Sequence, residues 1–235
     1  MNFFQRISGV FTEPKRTMAE VAERPVWIDS LIFLLIIWLL FSNLIAPFTQ
    51  KDTISLMKNN LRLKELLGEE RYAQRLQQLE NPSPRAKFFN LFILPPVMLF
   101  FGFFLTSLFI FILGRIFSAQ GKFIQVLACV LHANLIDKFL GNAIRLFLIF
   151  SKKSVFQTST SLALLFPRLS YTSPAYIVLN QIDFFQLWLF GVLAFGLAVT
   201  FKTSMRQAFF LSYGFWFIKS LLYITLGLIN LRYMS

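Results

Sequence analysis

Apolar residues in this chain come in long runs rather than in alternating or narrow-stripe patterns, and those runs set the architecture. Crossing about 30 Å of hydrocarbon takes roughly 20 apolar residues. Runs of that length are read at residues 27–48, 96–117, 123–150, 184–201 and 208–231, the third interrupted by charge. Ahead of them, "MNFFQRISGVF" gathers Phe3, Phe4, Ile7 and Phe11, with Val10, on one helical face and leaves Gln5, Arg6 and Ser8 mostly opposite. This predicts a helix lying in the membrane interface. "TEPKRTMAEVAERP" predicts a second surface helix, begun near Pro14, stopped by Pro25 and striped by Met18, Val21 and Ala22. Residues 1–26 are thus two amphipathic interfacial helices.

Residues 49–87 are too polar to cross a membrane and too periodic to be disordered. Ile54, Met57 and Leu61 form one apolar stripe. Gly68 suits a helix C-terminus, and Tyr72, Leu76 and Leu79 repeat at i, i+4 and i+7. The prediction is an extramembrane helical hairpin whose two stripes either dock a partner or pack on each other. The Pro95–Pro96 pair predicts that the regular second span starts at the pair, with residues 88–94 interfacial. Residues 151–183 mix polar and apolar positions around Pro167 and Pro174, which predicts a surface-lying or re-entrant stretch. The fold class is therefore all-α: a polytopic membrane helical bundle of about five transmembrane helices, residues 88–235 forming the bundle beyond the hairpin.

Composition agrees. Only 14% of the 235 residues are charged and 56% are hydrophobic, with Phe at 31 copies, against about 25% charged in soluble domains. The apolar run begins only after Pro25, so no cleavable signal peptide is expected. The formal charge of +12 suits anionic lipid headgroups. Nucleic acid is excluded, because the basic residues are dispersed over every loop rather than gathered on one face. With the N-terminus inside, more Lys and Arg fall outside than inside, while the short loops are the denser in charge; charge alone does not choose an orientation.

Ionisable groups at membrane depth are read first as functional. The third span contains Asn134, Asp137, Lys138, Asn142 and Arg145. At about 100° per residue, Asn134, Lys138, Gly141 and Arg145 form a narrow stripe flanked by Asp137 and Asn142, with Leu135, Phe139, Ala143 and Phe147 opposite. Structural glue, a surface for a partner membrane protein and an ion or solute path are the three readings. His132 is the single histidine and Cys129 the single cysteine, so paired metal ligands and an intrachain disulfide are excluded. Both read as packing residues. Glu69–Glu70 lacks the arginine that a prenyl-protease-like pattern needs, Gln74 standing there, and no serine-protease context occurs. No enzyme, metal or cofactor is predicted. Lys219 sits near the middle of the fifth span; a charge that deep needs a partner, and matching of depths predicts that the third and fifth spans pack together with Lys219 facing Asp137 or backbone carbonyls near it, a water-filled crevice being the alternative.

Several stretches together resemble the Yip family, the Ypt/Rab-GTPase-interacting-protein domain, in its bacterial form. They are "FTEPKRTMAEVAERPVW", "STSLALLFP" and "LNQIDFFQLWLFGVLAFGLAVTFKTSMRQAFF", the last with Ile182, Phe184, Trp188, Gly191, Gly196, Ser204 and Ala208. Residues 50–86 lie outside the likeness. The resemblance implies five spans, a cytoplasmic N-terminus, an outer C-terminus and a bacterial plasma (inner) membrane. It implies no catalytic residues. Some bacterial members resemble accessory subunits of macrolide-exporter-type ABC transporters, so the expected function is a non-catalytic membrane adaptor that contacts lipids and another membrane protein, an ABC transporter complex. A small transporter or channel using the third-span polar face is the alternative.

Overall fold

The computed structural model describes residues 1–234 apart from Ala119, Gln157 and Ser159, and leaves out the side chains of Leu61, Phe117, Arg232, Tyr233 and Met234. The protein is an all-α helical bundle. Among the described residues the sole β-type pairing is an isolated antiparallel bridge between Ser161 and Asp183. Among the described residues five helices are long and apolar enough to cross a membrane: Ile28–Lys58, Pro84–Ile116, Phe123–Lys152, Phe184–Phe201 and Met205–Leu231. This is a multi-pass membrane protein.

Local chemistry explains the helix boundaries. Helix α1 (Phe3–Thr12) starts with a reciprocal cap: Asn2 Oδ1 accepts from the Gln5 amide at 2.9 Å, and Gln5 Oε1 accepts from the Asn2 amide at 2.9 Å. Pro14 opens α2 (Pro14–Glu23), where a missing N–H is harmless. The first spanning helix, α3 (Ile28–Lys58), continues beyond its apolar run into the polar segment. Next come α4 (Leu61–Leu67) and α5 (Glu69–Glu80), separated by Gly68 at φ 75°. Then α6 (Pro84–Phe88) leads through a π-helical turn, Phe89–Ile93, into α7 (Leu94–Phe117). That turn differs from the expected break at Pro95–Pro96. The two prolines cannot donate to the carbonyls four residues back; one of these, Leu91, instead accepts from Asn43 Nδ2 at 3.1 Å. The helix survives because a side chain replaces the lost backbone donor.

The third spanning helix comprises α8 (Phe123–Asn134), a π-helical stretch Leu135–Gly141 and α9 (Asn142–Lys152). After it lie a short 3-10 turn, Leu162–Leu165, and α10 (Pro174–Leu179). Helices α11 (Phe184–Phe201) and α12 (Met205–Met234) complete the chain.

Two compact units emerge. The first takes Met1–Trp38, Pro96–Ala143 and Phe184–Ser220. Its centre is α2, expected on the surface but packed between α8 and α11, with Thr17, Met18, Val21 and Ala22 buried. Close approach requires small residues there: a side-chain carbon on Gly196 would collide with Cys129 Sγ and crowd Met18. Likewise Gly9 lies directly on Thr17, bringing α1 against α2. Helix α12 runs antiparallel to α11, tied by Ser212 Oγ donating to Phe190 O at 2.6 Å and Tyr213 Oη to Leu187 O at 2.9 Å.

The second unit takes Leu39–Pro95, Ile144–Asp183 and Leu221–Ser235. Buried Asp52, in the extension of α3, accepts from Ser154 Oγ at 2.7 Å and from the Val155 amide at 2.6 Å. Within the same unit α5 folds back on that extension. Tyr72 Oη donates to Met57 O at 2.9 Å, Gln50 Nε2 to Leu79 O at 2.8 Å, and Lys58 pairs with Glu80 at 2.7 Å.

Candidate functional site: polar groups within the bundle

In the first unit four polar residues from three elements converge. Arg6 of α1, expected on that helix's polar face, is buried. Its Nε donates to His132 Nε2 at 3.2 Å, Nη1 donates to Met1 O at 2.9 Å, and Nη2 is bonded to Asp29 Oδ2. Ser30 Oγ lies 3.0 Å from the same His132 nitrogen, and His132 Nδ1 lies 2.8 Å from Ala128 O. A carbonyl only accepts and a guanidinium only donates. Nδ1 therefore carries the ring proton, and the Nε2 lone pair faces Arg6. The histidine is a neutral acceptor that satisfies a buried cation. The node joins α1 to the start of α3 and the last turn of α8.

The expected polar stripe of the third span divides. Asn134 is buried and donates to Val130 O of its own helix at 2.8 Å. Asp137 is buried in the π-helical stretch, with Lys138 Nζ 2.9 Å from its Oδ2 and 5.1 Å from the Trp38 ring centroid. Asn142 is also buried. Opposite, Phe139, Ala143 and Phe147 are exposed, the apolar surface that hydrocarbon would cover, whereas Leu135, expected on the same face, is buried at the start of the π-helical stretch. Arg145 belongs to the second unit, where its Nη2 reaches both oxygens of Asp183 at 3.2 Å while Thr160 Oγ1 donates to Oδ2 at 2.7 Å. Lys219 Nζ donates to Gln186 Oε1 at 2.7 Å and lies 5.0 Å from the Phe190 ring centroid.

Against known families the result is clear: the sequence matches the Yip1 domain over residues 8–227. The chain belongs to the Yip1 domain family. No curated protein matches it, and no solved structure does. The matched range holds the second half of α1, four whole spans and most of the fifth, so the family assignment covers both the His132 side of the buried node and the third-span polar groups.

Within this Yip1 domain the other predicted positions separate by environment. Of the four N-terminal apolar residues, Phe4 is exposed; Phe3 meets the Phe33 ring at 5.6 Å, Phe11 meets Trp188 at 6.0 Å, and Ile7 packs on the core. Met57 is buried, and Ile54, Tyr72, Leu76 and Leu79 are half-buried; Leu61's side chain lies outside the described residues. Among the described residues no group of three or more His, Cys, Asp and Glu could hold a metal ion. The residues that sequence reasoning passed over are Arg6, Asp29 and Ser30. The available signal was an arginine inside an otherwise apolar stretch and an aspartate at the mouth of a span, both short of partners nearby in sequence.

Proposed function

We propose that this Yip1-domain protein is a non-catalytic membrane adaptor that docks on another membrane complex through its extramembrane helices. One observation carries the reading. The pair α4–α5 is held to the end of α3 by Tyr72, Gln50 and the Lys58–Glu80 pair, and it presents Leu66, 62% exposed, on a segment that crosses nothing. A polar segment anchored this firmly is preorganised, which lowers the ordering cost of binding. Supporting this, Lys138, Arg145 and Lys219 each have a polar partner within their own unit, as struts would. The family resemblance points to a macrolide-exporter-type ABC transporter as the partner, in a bacterial inner membrane with the N-terminus cytoplasmic and the C-terminus outside.

The test is purification of the tagged full-length protein in mild detergent, beside a variant with residues 60–81 replaced by a short Gly/Ser linker. Asp52 and Met57 are kept, since both are buried in the second unit. The adaptor reading expects a stoichiometric membrane partner that the variant loses. A folded variant retaining the same partner in the same amount refutes docking through the hairpin. Absence of any stoichiometric partner refutes the adaptor itself. A second reading, transport through the third span, rests on the π-helical stretch around buried Asp137, because such turns often occur at functional sites. It requires solute flux in reconstituted vesicles that Asp137→Asn abolishes.

A further inference from the structure

Near the start of α12 an open groove of about 380 Å³ is lined by Arg206, Phe209, Phe210, Tyr213 and Gly214. One wall is rigid. Tyr213 is fixed by its hydrogen bond to Leu187 O, its ring lies nearly parallel to Phe209 at an interplanar angle of 10°, and Phe209 meets Phe195 edge-on. At the far end Gly214 is a notch, where an added side-chain carbon would meet no atom within 4 Å. At the near end the Arg206 guanidinium sits 5.9 Å from the Phe210 centroid and forms no ion pair among the described residues. Lys202 is also exposed at this end.

We propose that this groove binds an anionic phospholipid, its phosphate on Arg206 and one acyl chain running along the Phe209–Tyr213 wall to Gly214. From Arg206 to Gly214 the helix rises about 12 Å, so the groove leads from the membrane surface into hydrocarbon. Its occupant must be apolar along its length and anionic at one end. A free phosphate ion would leave the aromatic wall unused. A second helix laid over the groove would strip water from the guanidinium without supplying a counter-charge, which is costly. A lipid phosphate supplies that charge with charge-assisted hydrogen bonds.

The test uses the full-length protein, delipidated in detergent and offered equal phosphatidylglycerol and phosphatidylcholine, with retained lipid counted by native mass spectrometry. Wild type should retain phosphatidylglycerol in preference, and 10 mM inorganic phosphate should not displace it. Arg206→Gln should reduce that preference about fivefold, the factor one basic residue contributes beside an anionic surface. Gly214→Leu should lower retention of both lipids, and Lys15→Gln, remote in sequence and equally exposed, should change neither. Arg206 and Gly214 are exposed, so both variants keep the core intact. Equal retention of the two lipids by wild type, or an unchanged preference in Arg206→Gln, overturns the proposal. So does displacement by free phosphate, or a Gly214→Leu variant that alters self-association while lipid retention stays the same.

Discussion

Removing His132 tests whether the buried node holds the N-terminal helices in the bundle. In His132→Phe a ring of similar size remains, so the main change is chemical. Arg6 Nε, bonded to His132 Nε2 at 3.2 Å, loses its acceptor, and Ser30 Oγ, 3.0 Å from the same atom, keeps only the distant Asp29 Oδ1 at 3.4 Å. A buried charged donor left without an acceptor costs about 1.5–3 kcal/mol. Arg6 retains Met1 O and Asp29, so the expected loss is about 2 kcal/mol. For a domain of this size that lowers the melting temperature by roughly 4–8 °C. Arg6→Met leaves Asp29 without its cation. The Asp29 side chain is 35% exposed, so solvent screens part of the 3–5 kcal/mol typical of a broken buried pair, leaving about 2 kcal/mol.

The double variant discriminates. Once Arg6 is gone, His132 Nε2 has no cation to satisfy, and its replacement by Phe removes a polar atom from an apolar setting. The double loss should therefore be about 2 kcal/mol, some 1.5–2 kcal/mol less than the sum of the single losses. Melting curves of the four proteins in one detergent measure the cycle. A double variant whose loss equals the sum to within about 0.5 kcal/mol means that the two side chains act independently, and the node is then no clamp.

Three further outcomes follow from the same geometry. Thr17 Oγ1 is buried and has no hydrogen-bond partner among the described residues, so Thr17→Val should raise stability by about 1 kcal/mol; a lower melting temperature contradicts this. Lys219→Met and Gln186→Leu should show losses that are non-additive by about 1 kcal/mol, because the two side chains are bonded at 2.7 Å; additive melting shifts break the assignment. At the hairpin, hydrogen bonding and charge from Lys64 hold the Glu69 carboxyl below the usual carboxylate range, while Glu69 holds Lys64 above the usual amine range. Their contribution is then lost as pH falls through the lowered Glu69 value and again as it rises through the raised Lys64 value. Hydrogen exchange over residues 61–80, corrected for intrinsic rates, should quicken at both extremes, and Glu69→Gln should remove that dependence.

The spans were legible because membrane crossing is a question of length and polarity, which a linear sequence displays. The Pro14 start was legible for the same reason, being local. The burial of α2 was not, since Met18, Val21 and Ala22 look alike whether they face lipid or protein. What turned them inward was the pair of small contacts at Gly9 and Gly196, visible only once the partners Thr17 and Cys129 are placed. Arg6 was misplaced for a related reason: an arginine on a helix's polar face reads as solvated until a histidine from distant sequence meets it. Lys219 needed a partner, as its depth required, and the structure supplies Gln186 together with the Phe190 ring.

The third span shows why periodicity misjudges a polar stripe even when every residue in it is correctly noticed. A wheel at about 100° per residue assumes bonding from i to i−4 throughout. Between Leu135 and Gly141 the bonding is instead of the i to i−5 kind, the Asn142 amide donating to Asp137 O. Each wider turn delays the wheel, so residues before and after the stretch no longer keep the faces that an α-helical count assigns them. Asn134 therefore returns its amide to its own helix, Lys138 reaches Asp137 and the Trp38 ring, and Arg145, after the stretch, serves Asp183 of the second unit. A wheel that ignores the π-helical stretch therefore misassigns the faces of these polar groups. Deleting one residue at Leu140 so that regular α-helical bonding returned would leave Lys138 and Arg145 six residues apart, about 120° on the wheel instead of about 20°, so the deletion should not rebuild a single stripe and should melt close to an Ala substitution at the same site.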